Sequence, residues 1–238
     1  MKQIIALGGG GFSMEPDNPL LDLYILSQSP NKTPKICFLP TASGDSENYI
    51  QRFYHFFRNQ NCVPSHLSLF NPPTRDLEGF LLEKDIIYVG GGNTKNLLAL
   101  WKEWGIDEIL KTAWQQGIIL AGISAGAICW FEEGVTDSFG DALEPIHCLG
   151  FLKGSNCPHY DGEKDRRPSY QNLIQTNRIK SGIAADDGVA IHYVDQTIKE
   201  VISSRPYAQA YRVTYEDRVK EETIYTRYLG EGFETSKI

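Results

Sequence analysis

The chain has few cysteines, and they do not pair by pattern. Cys37, Cys62, Cys129, Cys148 and Cys157 are five in number, scattered, with no CxxC among them. That argues against a disulfide framework or a zinc site and fits a reduced, cytoplasmic protein. No window of roughly 18 residues is free of polar side chains, so no membrane span is expected. Positive charge is also short: 23 Lys and Arg against 30 Asp and Glu, a net charge of −7. Nucleic-acid binders normally carry a basic surplus or stripe, so that class is disfavoured. There is no G-x-G-x-x-G and no P-loop lysine, which leaves little case for a nucleotide cofactor. The N-terminal run enters glycines at Gly8 rather than a cleavage-site pattern, so it reads as a first strand and not a signal peptide. Repeats, linkers and low-complexity segments are missing too.

What is present suits one core. With 238 residues, 41% of them hydrophobic, the expectation is a single α/β domain over residues 1–238. Continuous apolar runs at 4–7, 36–39, 66–70, 86–89 and 118–121 read as strands. Helical spacing marks 20–26, 47–58, a segment holding Leu97, Leu98 and Trp101 that Asn93 or Thr94 can cap, and 106–116. Buried strands alternating with helices imply a mostly parallel central sheet flanked by helices. The aromatic residues between Tyr49 and Phe57 fit a core stripe better than a ligand box. The last third changes character. A helix is expected over 169–179, then β runs at 189–193, 198–203, 208–215 and 222–228. Alternation in 211–215, with a turn at 216–218, adds antiparallel strands near the C-terminus.

The most informative segment is Ile118–Ile128, a buried strand, then Gly122-Ile123-Ser124-Ala125-Gly126, then an apolar helix start. This is the context of a nucleophile elbow, a sharp strand-to-helix turn that exposes a serine hydroxyl above a sheet. Small residues let strand and helix approach, and amides at the helix start favour developing negative charge. The bland alternative is a serine that merely caps a helix. A serine needs a base, and the base an orienting acid. His55 and His66 sit in structural positions, His147 follows Pro145 in a loop, and His192 lies in an alternating strand. His159, in Asn156-Cys157-Pro158-His159-Tyr160-Asp161-Gly162, is presented at a loop after a strand and is the best base candidate. The local pattern leaves the acid open between Asp137, Asp186 and Asp187. Gly90-Gly91-Gly92-Asn93-Thr94 offers bare amides suited to an oxyanion hole, and Gly8–Gly11 reads as a tight turn. Cys129, inside the helix after the elbow, and Cys157, near His159, are rival nucleophiles that no elbow presents.

These pieces resemble the dipeptidase E family of serine peptidases, which includes cyanophycinase and is similar in fold to class I glutamine amidotransferases. The resemblance rests on the first strand, Lys35–Ser43 (KICFLPTAS), Tyr88–Thr94 (YVGGGNT), Gly122–Ala127 (GISAGA), Pro158-His159 and Gly182–Val189. It implies Ser124 as nucleophile, His159 as general base and the amides of Gly92 and Ala125 as oxyanion donors. It matches Asp187 to the acid, with Asp137 as runner-up. It implies no metal and no cofactor, a small peptide as substrate, and leaves a homodimer open. Aspartyl dipeptidases of the family read an N-terminal Asp with an arginine after the histidine; by position that residue is Arg167. Pro168 and the acidic residues between Asp161 and Asp165 depart from the family pattern there. The order Ser, His, acid argues against the α/β-hydrolase family, which runs Ser, acid, His. The expected activity is hydrolysis of short peptides through an acyl-enzyme. Alternatives are an isopeptidase acting on a cyanophycin-like polymer and a non-catalytic ligand binder on the same scaffold.

Overall fold

The computed structural model describes residues 1–140 and 142–230. Its strands in chain order are β1 (Gln3–Leu7), β2 (Lys35–Leu39), β3 (Val63–His66), β4 (Ile86–Val89), β5 (Ile119–Ile123), β6 (Phe131–Thr136), β7 (Glu144–His147), β8 (Leu152–Cys157), β9 (Gly182–Ala185), β10 (Val189–Val194), β11 (Thr197–Ser203), β12 (Ala210–Tyr215), β13 (Val219–Ile224) and β14 (Arg227–Tyr228). Its helices are α1 (Gly11–Met14), α2 (Leu20–Ser27), α3 (Glu47–Phe57), α4 (Leu77–Leu82), α5 (Thr94–Trp104), α6 (Ile106–Gln116), α7 (Ala125–Ile128) and α8 (Arg166–Gln175).

The main sheet runs β14-β11-β10-β1-β5-β4-β2-β3. From β1 to β3 every neighbour is parallel, while β10 joins β1 antiparallel and β11 joins β10 antiparallel. Each central strand is apolar on both faces, and the residues divide alternately. Ile4, Ala6, Cys37, Leu39, Ile87, Val89 and Leu120 face one core, which holds Leu97 and Trp101 of α5 and Leu110 of α6. Ile5, Leu7, Ile36, Phe38, Ile86, Tyr88 and Ile119 face the other, which holds Phe12, Leu21, Phe53 and Phe57. This two-sided burial is why the strands read as unbroken apolar runs. Asn93 caps α5, its side chain accepting from the Asn96 amide at 2.8 Å.

A second sheet, β13-β12-β9-β8-β6-β7, lies beyond the first and is covered by α8. It carries the antiparallel pair β12–β13 expected near the C-terminus, together with β6, β7 and β9, which the sequence pattern does not announce, while the runs at 189–193 and 198–203 join the main sheet as β10 and β11. Other boundaries also move. The third strand ends at His66 instead of beginning there. Residues 68–70 leave the sheet because the Ser68 hydroxyl and the Leu69 and Phe70 amides all bond the Asp45 carboxylate. The late helix begins at Arg166, with Pro168 in the first turn, where its missing N–H is no loss.

Candidate active site

The carboxyl ends of β1, β5 and β4 lie side by side, and three loops leave the sheet there. Ligands of open parallel sheets bind at that edge. Ser124 follows β5 with φ 55° and ψ −115°, a backbone region costly for a residue with a Cβ. Two contacts make the turn this tight. A Cβ on Gly122 would stand 2.2 Å from the Gly126 carbonyl oxygen, and one on Gly126 would stand 2.3 Å from that of Val89. Only glycines at both ends of G-x-S-x-G permit the approach. The helix after the elbow, α7, has four residues, so the local Ala125 amide, more than a long helix dipole, is the electrostatic feature at Ser124.

Neighbouring carbonyls of one strand end hold the nucleophile candidate and the base candidate. The Ser124 amide donates to the Leu7 oxygen at 3.2 Å, and the His159 amide donates to the Gly8 oxygen at 3.1 Å. His159 follows β8 and also has a positive φ, 53°. Its Nδ1 lies 2.6 Å from Asp187 Oδ1, and both side chains are largely buried. Among the described residues Nε2 has no protein partner. Asp187 is itself held, its amide donating to Asp161 Oδ1 at 2.8 Å, while the next amide, Gly188, donates to the Gly9 oxygen at 3.1 Å. Of the acids left open by the sequence, the fold brings Asp187 to the imidazole. Asp186 points away, accepting from the Gln209 amide at 2.9 Å, and burial pushes its carboxyl up to about 6.

Gly92 has φ 139° and packs so closely that a Cβ would stand 2.2 Å from the Ala42 oxygen. Among the described residues the amides of Gly92 and Ala125 donate to no protein acceptor. Gly92 and Ser124 line a common cavity of about 400 Å³ with Asn93, Asp137, Ser138, Glu163 and Arg166. Asp137, the runner-up acid, therefore belongs to this cavity and not to the His159 pair.

Neither Arg167 nor the base candidate His159 is among the residues that line this cavity. The Arg167 guanidinium is bonded to Glu221 and lies over the Tyr160 and Tyr211 rings, 5.2 and 5.1 Å from their centres. Arg166 lines it instead, buried, with Nε donating to Glu163 Oε2 at 2.6 Å and Nη1 to the Val135 oxygen at 3.0 Å. The rival thiols are inert by burial: Cys157 is pushed up to about 12, and Cys129 is raised well above its ordinary value. His55 is exposed on α3, and His66 bonds the Tyr54 hydroxyl. His147 lies on edge strand β7 and not in a loop, and buried His192 is lowered to about 4 between Tyr24 and Gln3.

Gly9 packs against the His159–Asp187 pair, a contact no motif in the sequence announces. A Cβ there would stand 2.0 Å from Asp187 Oδ1 and 3.1 Å from His159 Nδ1. Gly9→Ala should push the carboxylate off the imidazole and lower kcat by up to on the order of 10⁴, the scale of losing an orienting acid. Unchanged turnover in Gly9→Ala at normal melting temperature would sink this reading.

Under the same loop lies Asp22, fully buried, with Oδ2 accepting from the Phe12 amide at 2.6 Å. Oδ1 and the buried Tyr88 hydroxyl have no partner among the described residues. Burial raises the Asp22 carboxyl from 3.8 to about 7. A carboxyl raised on folding holds its proton longer in the native state, so its contribution is full below about pH 4 and is lost as pH rises to about 7. The loss is about 4 kcal/mol across that window. Asp22→Asn presents similar groups without titrating, so its stability relative to wild type should rise by about that amount between pH 4 and 8. Urea unfolding at both pH values checks it; parallel pH profiles would refute the assignment.

A strained serine turn at the carboxyl edge of a mostly parallel sheet, with a histidine–carboxylate pair anchored at the same strand ends, places the chain among α/β proteins with a candidate site at that edge. The family model described as Peptidase family S51 matches residues 4–201. The chain belongs to peptidase family S51 and is a peptidase. It is 64% identical over 231 residues to "Uncharacterized peptidase YgaJ" of Bacillus subtilis (strain 168), covering 97% of this chain and 100% of that one. A shorter match, 29% over 111 residues, reaches "Uncharacterized peptidase PM1590" of Pasteurella multocida (strain Pm70), covering 46% of this chain and 54% of that one. The fold is that of a solved peptidase from an acI-B1 Actinobacterium, TM-score 0.70 at 18% identity, covering 94% of this chain and 96% of that one.

Proposed function

We propose that this peptidase works as a serine peptidase on short peptides. Ser124 attacks the scissile carbonyl, and His159 takes the hydroxyl proton and delivers it to the leaving amine. Asp187 fixes the imidazole with Nδ1 toward itself and Nε2 toward the serine. The amides of Gly92 and Ala125 receive the oxyanion, and water then hydrolyses the acyl-enzyme.

The observation that carries this reading is the 2.6 Å contact between His159 and Asp187, with His159 and Ser124 suspended from adjacent carbonyls, Gly8 and Leu7. The chain positions the base through the same strand end that positions the nucleophile. A cavity of about 400 Å³ suits a few residues of substrate. Five free thiols, with no disulfide, support a cytoplasmic setting. The test is covalent labelling with a fluorophosphonate probe, with the modified residue located by peptide mass mapping. Labelling at Ser124 is expected. An unlabelled, correctly folded protein that cleaves no dipeptide would favour the non-catalytic ligand binder.

A further inference from the structure

We propose that the Ser124 cavity is built for a substrate with a free α-ammonium group and a neutral or basic N-terminal residue, and that Asp137 is the residue that takes the ammonium. This rests on the serine-peptidase reading above and adds the substrate class to it.

The argument is one of charge. Reading an acidic side chain needs a cation with free donors. Among the described residues lining the cavity there is one cation, Arg166, and its guanidinium is already engaged by the Glu163 carboxylate and the Val135 carbonyl. Arg167 is held by Glu221 outside the cavity, and Arg205 by Glu15 at 2.6 Å. Lys95, on the nearby start of α5, has its ammonium 4.6 Å from the centre of the Phe139 ring. With Glu163 and Arg166 neutralising one another, the described lining retains one uncompensated charge, the carboxylate of Asp137, which has no ion pair among the described residues. An N-terminal Asp would bring a second carboxylate toward it alongside its ammonium; a neutral or basic N-terminal residue would bring the ammonium alone.

Asp137 is also well placed. Its neighbours in sequence are pinned to the segment that carries Gly92. Ser138 Oγ accepts from the Thr94 amide at 2.8 Å, Thr136 Oγ1 lies 2.7 Å from Ser138 Oγ, and Asn93 Nδ2 donates to the Ser138 oxygen at 3.3 Å. The Asp137 backbone is thus tied to the same short segment as the Gly92 amide, while its side chain stays open to the cavity. In a bound peptide the α-ammonium sits on the carbon that bears the attacked carbonyl. A carboxylate lining the cavity beside the oxyanion amides is where such an ammonium would find its partner.

The experiment compares kcat/KM for Leu-Leu, Lys-Leu, Asp-Leu and N-acetyl-Leu-Leu in wild type and Asp137→Asn, with fluorophosphonate labelling of Ser124 as an independent check of the nucleophile. In wild type, Leu-Leu and Lys-Leu should exceed Asp-Leu and N-acetyl-Leu-Leu by roughly ten- to a hundredfold, the range of one charge-assisted hydrogen bond. Asp137→Asn should lower Leu-Leu and Lys-Leu and narrow both gaps. Equal or better cleavage of Asp-Leu by wild type overturns the proposal. So does an equal loss on free and acetylated substrates in Asp137→Asn, because that is how a triad acid would behave. A labelled enzyme that cleaves none of the free-amine peptides overturns the substrate class alone; an unlabelled, inactive one overturns the serine reading with it.

Discussion

Ser124→Ala should lower kcat/KM on the best dipeptide by on the order of 10⁶, the loss found when a triad nucleophile is removed from a well-studied serine protease. The fold should survive. Ser124 is held in place by its amide and carbonyl, through Leu7, Ala127 and Ile128, and those bonds do not involve the hydroxyl. Alanine carries the same Cβ, so the positive φ of 55° is no worse tolerated than before. Steady-state kinetics beside a urea melt would read both halves. Near wild-type turnover in Ser124→Ala would end the nucleophile assignment. The buried thiols of Cys129 and Cys157 would be poor replacements.

His159→Ala should lose as much as Ser124→Ala, and the double variant little more, because members of a triad act as a unit. Asp187→Ala should lose less, on the order of 10⁴. The difference has a physical source. Removing Asp187 leaves a His159 whose backbone amide still donates to the Gly8 oxygen but whose imidazole is free to rotate or change tautomer. Removing His159 leaves no base at all. Asp137→Ala should lose less than Asp187→Ala on the same substrate. If Asp137→Ala were the more damaging of the two, the orienting acid would have to be reassigned. Additive losses in the double variant would show that the two residues do not work together.

Much of this was readable from the chain alone. The parallel half of the main sheet declares itself because β1, β2, β4 and β5 are buried on both faces and so are written as unbroken apolar runs. The elbow is legible because only glycines tolerate the contacts at Gly122 and Gly126. The second sheet is not legible, since β6 (FEEGVT), β7 (EPIH) and β8 (LKGSNC) are short, polar or glycine-broken and gain their order from pairing. Which arginine lines the cavity was not legible, for a helical reason: Arg166 and Arg167 are adjacent in α8, so they point in directions roughly 100° apart, and only contact with Glu163 or Glu221 separates them. Gly9 hid in a run of four glycines, where sequence alone cannot say which one a neighbour needs.

The shared anchorage of Ser124 and His159 on the end of β1 has a consequence during synthesis. β1 leaves the ribosome before β5 and β10, yet in the finished sheet it lies between these two strands, whose residues come more than a hundred positions later. Asp187 arrives just before β10. At roughly 5–20 residues per second, a growing chain spends on the order of ten to forty seconds before the last of these parts exists. On the proposed triad the serine would have no oriented base throughout that interval, so the unfinished chain should not hydrolyse peptides. A chain cut short anywhere before Asp187 should be inert for the same reason, and the arrival of the Asp187 segment becomes the event that arms the enzyme.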